Sequence, residues 1–267
     1  MTALALTLLN GDSSWLIELD GTRLLLDPWL SGKATLLYPA FHQADLGGEA
    51  VSLAELGRVD ALVVSHPFPD HCNRPTLRQL PRDLPAFSPR VVTPWVRWAG
   101  GLRRAATIPN ATLGRQPIVF RNVSLAWCRA AFPFDTTHNA LILRGNDSGS
   151  TVMYCPHGLP TQGAAFRAVE RVLAGRLDAL LCSFTVLDLP GYLGGIANLG
   201  PDAAAELAAR LQPRFTMPTH DGDKPDSGFI ARVEKLVRCR DIASVLQPRA
   251  PGTRPVVPQT GQVWQPS

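Results

Sequence analysis

His66-Pro67-Phe68-Pro69-Asp70-His71 constrains this chain more than any other stretch. It follows an apolar run, Asp60-Ala61-Leu62-Val63-Val64, and then Ser65. A short run rich in valine and leucine with a turn behind it reads as a buried strand. Two imidazoles and a carboxylate are therefore expected at a strand end, which in an α/β sheet is where ligands meet a cleft. Imidazole and carboxylate are ligands for zinc and related transition metals. The two prolines stiffen the loop, and a stiff loop can hold several ligands toward one point.

The segments before this block alternate strand and turn signals. Leu4 to Leu9 and Trp15 to Leu19 read as strands, Asp20-Gly21 as a tight hairpin turn, and Arg23 to Leu26 as the return, closed by Asp27-Pro28-Trp29. Residues 31 to 50 read as one long loop, a length often tied to function. Behind the block, Pro75 to Leu80 predicts a helix with proline in its first turn. Val91-Val92-Thr93 predicts a strand, 117 to 128 two short strands around Arg121-Asn122, and Asn139 to Arg144 with Thr151 to Tyr154 a strand pair. The pattern then becomes β-α: helix 162 to 173, strand Ala179 to Cys182, helix Asp202 to Leu211 behind Gly200-Pro201, strand Phe215 to Met217 and helix Gly228 to Val237. The Pro-, Gly- and Gln-rich end predicts poor packing, so the chain reads as one domain over 1–248 and a tail over 249–267. Composition and pattern by themselves say mixed α/β.

Hydrophobic residues make up 45% and charged residues 18% of the 267, as in a globular protein with a real core. The five cysteines, at 72, 128, 155, 182 and 239, are an odd number without a C-x-x-C pair. That argues against a disulfide framework and for a reducing compartment. No Lys or Arg precedes Arg23, unlike a signal peptide, and no apolar run approaches the roughly 18 residues of a membrane helix. A cytoplasmic protein is expected. The net charge of +4 comes from scattered arginines, with lysine only at 33, 224 and 235, which disfavours a nucleic-acid-binding stripe.

Two further histidines follow strand-like runs: His157 after Thr151 to Pro156, and His220 after Arg214 to Thr219. Strand-end histidines in separate β-α units can converge on one cleft. His138 precedes its strand, and His42 sits in the irregular loop, where a surface role is the simpler reading. For His66, Asp70 and His71 the plainer alternative is a strand-to-helix turn in which the aspartate caps the helix. Cys72 reads as a buried small hydrophobe. Gly191 to Gly195 lacks the Lys and Ser of a phosphate loop and reads as a loop over the cleft. Trp95, Trp98, Trp127 and the Phe132–Phe134 aromatics read as core or pocket wall.

The block resembles the His-x-His-x-Asp-His signature of the metallo-β-lactamase superfamily, with Phe68 at the second histidine. The opening Asn10 to Glu18 and Leu25 to Trp29 is similar to the branch of ascorbate-6-phosphate lactonase and phosphodiesterase-like enzymes. Asp70 to Leu77, Pro156-His157-Gly158 and Gly200 to Asp223 resemble a little-characterised cyanobacterial and plant set within it. The resemblance implies a four-layer αββα sandwich. It also implies one metal ion rather than two, zinc before iron or manganese. The metal ligands it implies are His66, Asp70, His71, His157 and His220. Phe68 cannot ligate, a third histidine is missing near Phe132-Pro133-Phe134, and His157 stands where the family has a bridging aspartate. Asp27 is expected to orient a ligand imidazole.

Two functions follow. The first is hydrolysis of a small, anionic ester, lactone or phosphodiester by a metal-bound hydroxide, with Asp70 as ligand and proton acceptor and His66 as donor to the leaving group. The second is a degenerate, non-catalytic relative that binds a small molecule or partner, for which Phe68 and His157 speak.

Overall fold

A computed structural model of the chain describes residues 3–129 and 137–266. The chain divides into two compact units, one of residues 1–108, 222–232 and 258–267, the other of residues 109–221 and 233–257.

The first unit is built on a seven-stranded sheet. Leu4–Leu8, Trp15–Leu19 and Thr22–Leu26 form an antiparallel meander, and Ala61–Val63, Ala86–Pro89 and Ala105–Ile108 continue it in parallel. Asp20 and Gly21 both take positive φ, as a two-residue hairpin turn with the twist of its strands requires. Helices Arg74–Leu77 and Thr93–Gly100 lie between successive parallel strands. Leu77 and Val96 from these helices pack with Leu16, Leu25, Leu62 and Val64 from one face of the sheet. The alternate residues Ile17, Leu24, Leu26 and Val63 are buried as well. Burial on both faces is why these strands read as continuous apolar runs.

The second unit repeats the plan. Ile118–Phe120, Val123–Arg129, Asn139–Gly145 and Thr151–Cys155 run antiparallel, and Ala179–Cys182, Phe215–Pro218 and Arg254–Pro255 join in parallel. Helices Gly163–Leu173, Gly200–Leu211 and Ile242–Arg249 connect the parallel strands. Phe166, Val169, Leu207 and Leu246 from these helices close on Ile142, Met153, Leu180 and Cys182 from one sheet face. Each such side chain contributes about 1.5–3 kcal/mol by leaving water. Each unit is thus one sheet with helices on one face, the half from which an αββα arrangement is made.

Several local expectations change. Val91-Val92-Thr93 is not a strand: the strand is Ala86–Pro89, and Thr93 opens a helix with Pro94 in its first turn and left-handed Gly101 at its end. The β-branched pair suggested a strand, but Pro94 removes a backbone donor and fits a helix start. The helix expected over Gly228 to Val237 is only Ile230–Val233, after which Lys235–Arg238 pairs with Thr185–Asp188. The loop of residues 31 to 50 contains a short hairpin, Ala34–Leu36 with His42–Ala44, which Asp226–Ser227 extends. The tail is packed rather than loose: Arg254–Pro255 adds to the second sheet and Val263–Trp264 to the first. Trp95 and Trp98 are exposed rather than core, whereas Trp127 is buried. The Phe132–Phe134 aromatics lie outside the described residues. No helix among the described residues is long and apolar enough to cross a membrane.

Phe166→Ala should lower the free energy of unfolding by about 3–5 kcal/mol, because it opens a cavity under helix Gly163–Leu173. Tyr192→Ala, at a side chain 75% exposed, should stay within about 0.5 kcal/mol of wild type. Denaturant unfolding of both variants checks the contrast.

Candidate metal centre

The polar side chains of interest follow the ends of the central strands. In the first unit, Asp27 follows Thr22–Leu26, and Ser65 and His66 follow Ala61–Val63. Asp27 is fully buried and holds a left-handed backbone, φ 45°. Few residues other than glycine adopt that region, and strain of this kind gathers at functional sites. Its surroundings over-determine it. The Asp27 N–H donates to the Val63 carbonyl (3.0 Å), and its own carbonyl accepts from Ser14 Oγ (2.8 Å).

The Asp27 carboxylate organises two imidazoles. Oδ1 accepts from the Ser65 N–H (2.6 Å), and Oδ2 accepts from the Ser65 hydroxyl and from His71 Nδ1 (2.8 Å). A carboxylate only accepts, so His71 carries its proton on Nδ1 and a lone pair on Nε2 when neutral. Ser65 gives its one hydroxyl proton to Asp27, so the 2.6 Å contact from Ser65 Oγ to His66 Nδ1 must be donated by the ring. His66 therefore also has a lone pair on Nε2. That suits ligation or proton acceptance, rather than the donation to a leaving group expected from sequence. The two rings lie 4.9 Å apart. Burial disfavours charge on His71, but Asp70 and Asp27 outweigh it and raise its pKa above the ordinary value.

Asp70 and His71 have ligand atoms within 4.8 Å of each other, and so do His66 and His71. Asp70 is not a helix cap: Asn73 caps Arg74–Leu77, its Oδ1 accepting from the Thr76 N–H. Phe68, at the position of the missing ligand, stacks on His66 with centroids 6.1 Å apart. Lys224 is a site residue that sequence reading missed. Its Nζ lies 3.0 Å from Asp12 Oδ2 and 3.6 Å from Asp70 Oδ2. Burial works against the ammonium, yet Asp12 and Asp70 carry its pKa above the usual lysine value. Lys224 also lines a cleft of about 150 Å³, with Asn10, Asp12, Trp29, Gly47 and Asp223. A Cβ on Gly47 would collide with the Asp223 carbonyl, so only glycine fits there.

In the second unit, His157 follows Thr151–Cys155, Ser183 follows Ala179–Cys182, and His220 follows Phe215–Pro218. His220 also holds a left-handed backbone, φ 61°. The two rings lie 4.7 Å apart with planes at 65°. Buried Asn198 lies between them: His157 Nδ1 is 2.7 Å from Asn198 Oδ1, and Asn198 Nδ2 is 3.1 Å from His220 Nδ1. Neighbouring Asp221 accepts from Ser183 Oγ (2.7 Å) and from the Phe184 N–H (2.9 Å to Oδ2).

The remaining candidates fall elsewhere. His42 Nε2 lies 3.6 Å from Asp226 Oδ2, a surface-type contact. His138 starts the strand Asn139–Gly145 and belongs to no group of metal-ligating side chains among the described residues. The place of the missing family histidine, near Phe132-Pro133-Phe134, lies outside those residues. Gly191–Leu193 is a short 3-10 turn joining Thr185–Asp188 to Ile196–Leu199. Burial pushes the Cys72 thiol up to about 12, with Asp27 adding to it, which fits the small-hydrophobe reading and not a nucleophile.

Imidazole nitrogens with fixed lone pairs and a carboxylate are donor types for a zinc-type ion, so His66, Asp70 and His71 are candidate ligands. Residues 7–220 match the sequence model of the family described as Beta-lactamase superfamily domain. No curated protein matches the chain. Among solved structures, isothiocyanate hydrolase from Delia radicum gut bacteria is similar at 12% identity and TM-score 0.71, over 97% of this chain and 98% of that one. A possible metal-dependent hydrolase from Veillonella parvula is similar at 16% identity and TM-score 0.68, over 99% and 100%. The metallo-beta-lactamase fold protein YhfI from Bacillus subtilis is similar at 15% identity and TM-score 0.61, over 98% and 99%.

Asp27→Ala should cost about 3–5 kcal/mol of stability in chelator-treated protein, because it strands buried donors on Ser65 and His71. Ser65→Ala should cost about 1 kcal/mol by the same unfolding measurement. Four of the five cysteines are buried and Cys239 is half-buried. A disulfide-exchange reagent should therefore label Cys239 in the native protein and the other four only in denaturant; mass spectrometry reads the labelled positions.

Proposed function

The chain belongs to the beta-lactamase superfamily and has the metallo-β-lactamase fold, and on that premise we propose that it is a hydrolase with a single divalent ion. The substrate class is a small anionic ester, lactone or phosphodiester. The opening motif with Asp27-Pro28-Trp29 supports placing it in the lactonase- and phosphodiesterase-like branch. We propose zinc, and a ligand set drawn from His66, Asp70, His71, His157 and His220.

The observation that carries this reading is the Asp27 carboxylate, which sets both His66 and His71 with Nε2 lone pairs. A bound ion would lower the pKa of a ligated water toward about 7 and polarise the scissile group. The chain's own residues do the rest. Asp27 keeps both rings in the ligating tautomer. Asp70 offers a carboxylate to the ion or to a proton of the attacking water. Lys224 places a cation between Asp70 and the cleft, where a substrate's negative group can pair with it.

Phe68 and the Lys224–Asp70 ion pair favour a second reading, a relative that binds without hydrolysis. Phe68 removes one ligand, and an ammonium on Asp70 competes with a metal.

Protein purified without added metal should carry about one zinc, iron or manganese per chain by elemental analysis, and His71→Ala should carry none. The native protein should then turn over a phosphodiester, aryl ester or lactone in a chelator-sensitive way. No metal even after reconstitution would leave the binding protein as the better account.

A further inference from the structure

The two units fix their histidines by different chemistry. In the first, the Asp27 carboxylate accepts from His71 and from the Ser65 hydroxyl, whose oxygen accepts from His66. In the second, a primary amide lies between the rings. An amide that turns one end to each ring can accept from one imidazole only and must donate to the other. Whichever ring meets the nitrogen end must offer a lone pair on Nδ1, and its proton then sits on Nε2.

Ser183 decides which ring that is. The Ser183 hydroxyl points its proton at acceptors, Asp221 Oδ1 (2.7 Å) and the Thr185 carbonyl (3.3 Å). Toward Asn198 it can only accept, and the Asn198 atom 3.3 Å away must therefore be the nitrogen. The oxygen end is left facing His157 Nδ1 at 2.7 Å, and the nitrogen end faces His220 Nδ1 at 3.1 Å.

We propose that Asn198 is a positioning residue that holds His157 and His220 in opposite tautomers. His157 keeps a lone pair on Nε2 and is the ligand of the pair. His220 keeps its proton on Nε2, which then offers a hydrogen-bond donor and not a lone pair. The consequence is that, of the five candidate ligands, His220 is the one that cannot offer Nε2 to an ion in its neutral form. The roles rest on the metal reading proposed above; the tautomers do not.

Long-range ¹⁵N–¹H correlation spectra of histidine-labelled protein, taken where both rings are neutral, read the tautomers directly. His157→Asn and His220→Asn supply the assignments. The expected wild-type pattern, without metal and with one equivalent of zinc, is Nδ1–H for His157 and Nε2–H for His220. Asn198→Asp offers oxygen to both rings, so both should become Nδ1–H, and zinc should bind about 10-fold more tightly. Ser183→Ala, which removes the hydroxyl that orients the amide and changes neither ring, should give a mixture of both patterns should the aspartate variant not fold. The same tautomer on both rings in wild type, or the reverse assignment, overturns the proposal. The predicted tautomers in a protein that takes up no zinc would sustain Asn198's role and sink the hydrolase reading; zinc bound with both rings Nδ1–H would do the opposite.

Discussion

A buried carboxylate holds the first unit's polar centre together. Removing the charge of Asp27 from water costs several kcal/mol, and the cost is offset only where hydrogen bonds fill the oxygens. The Ser65 N–H, the Ser65 hydroxyl and His71 Nδ1 do this at full burial. The same contacts tie the end of Thr22–Leu26 to the end of Ala61–Val63 and fix both imidazoles. A strained φ at Asp27 persists because the Val63 carbonyl and the Ser14 hydroxyl grip its backbone on both sides.

The second unit solves a like problem with weaker groups. Asp221 carries the charge there, yet it bonds Ser183 and the Phe184 N–H and not the rings. Burial raises its pKa, and the Phe184 and Ser183 donors oppose that only in part. The rings instead meet a neutral amide. A neutral partner avoids burying a second carboxylate beside them, and it turns a different end to each ring. The two halves share a strand plan and differ in the groups that meet their imidazoles, which is where a fold that hosts many activities varies its chemistry.

Much of the candidate site was legible because the candidate ligands cluster in sequence or follow apolar runs. His66, Asp70 and His71 lie within one turn-forming segment, and His157 and His220 each close a strand read from its valines, methionine or phenylalanine. Asp27 was legible from the Asp-Pro-Trp after a strand. Lys224 and Asn198 were not. Lys224 is close to His220 in sequence but meets Asp12, more than two hundred residues away. Asn198 lies just past the loop read over Gly191 to Gly195, in a strand paired with Thr185–Asp188 that no sequence pattern suggested. Gly200, at φ 80° with Val186 packed where a Cβ would go, was read only as a helix start and also lets that strand lie against its partner.

The strands, most helices, the candidate ligand types and Asp27 as the orienting carboxylate were readable from local order, because periodicity, proline placement and residue chemistry act over a few neighbours. Tertiary structure alone decided what each ligand's second nitrogen touches. It paired Ser65 with His66, set Asn198 between His157 and His220, and brought Lys224 to Asp70. Those contacts join residues that share no local pattern, and proton position depends on which group happens to accept at about 3 Å. No spacing rule encodes that choice; only the packed geometry makes it.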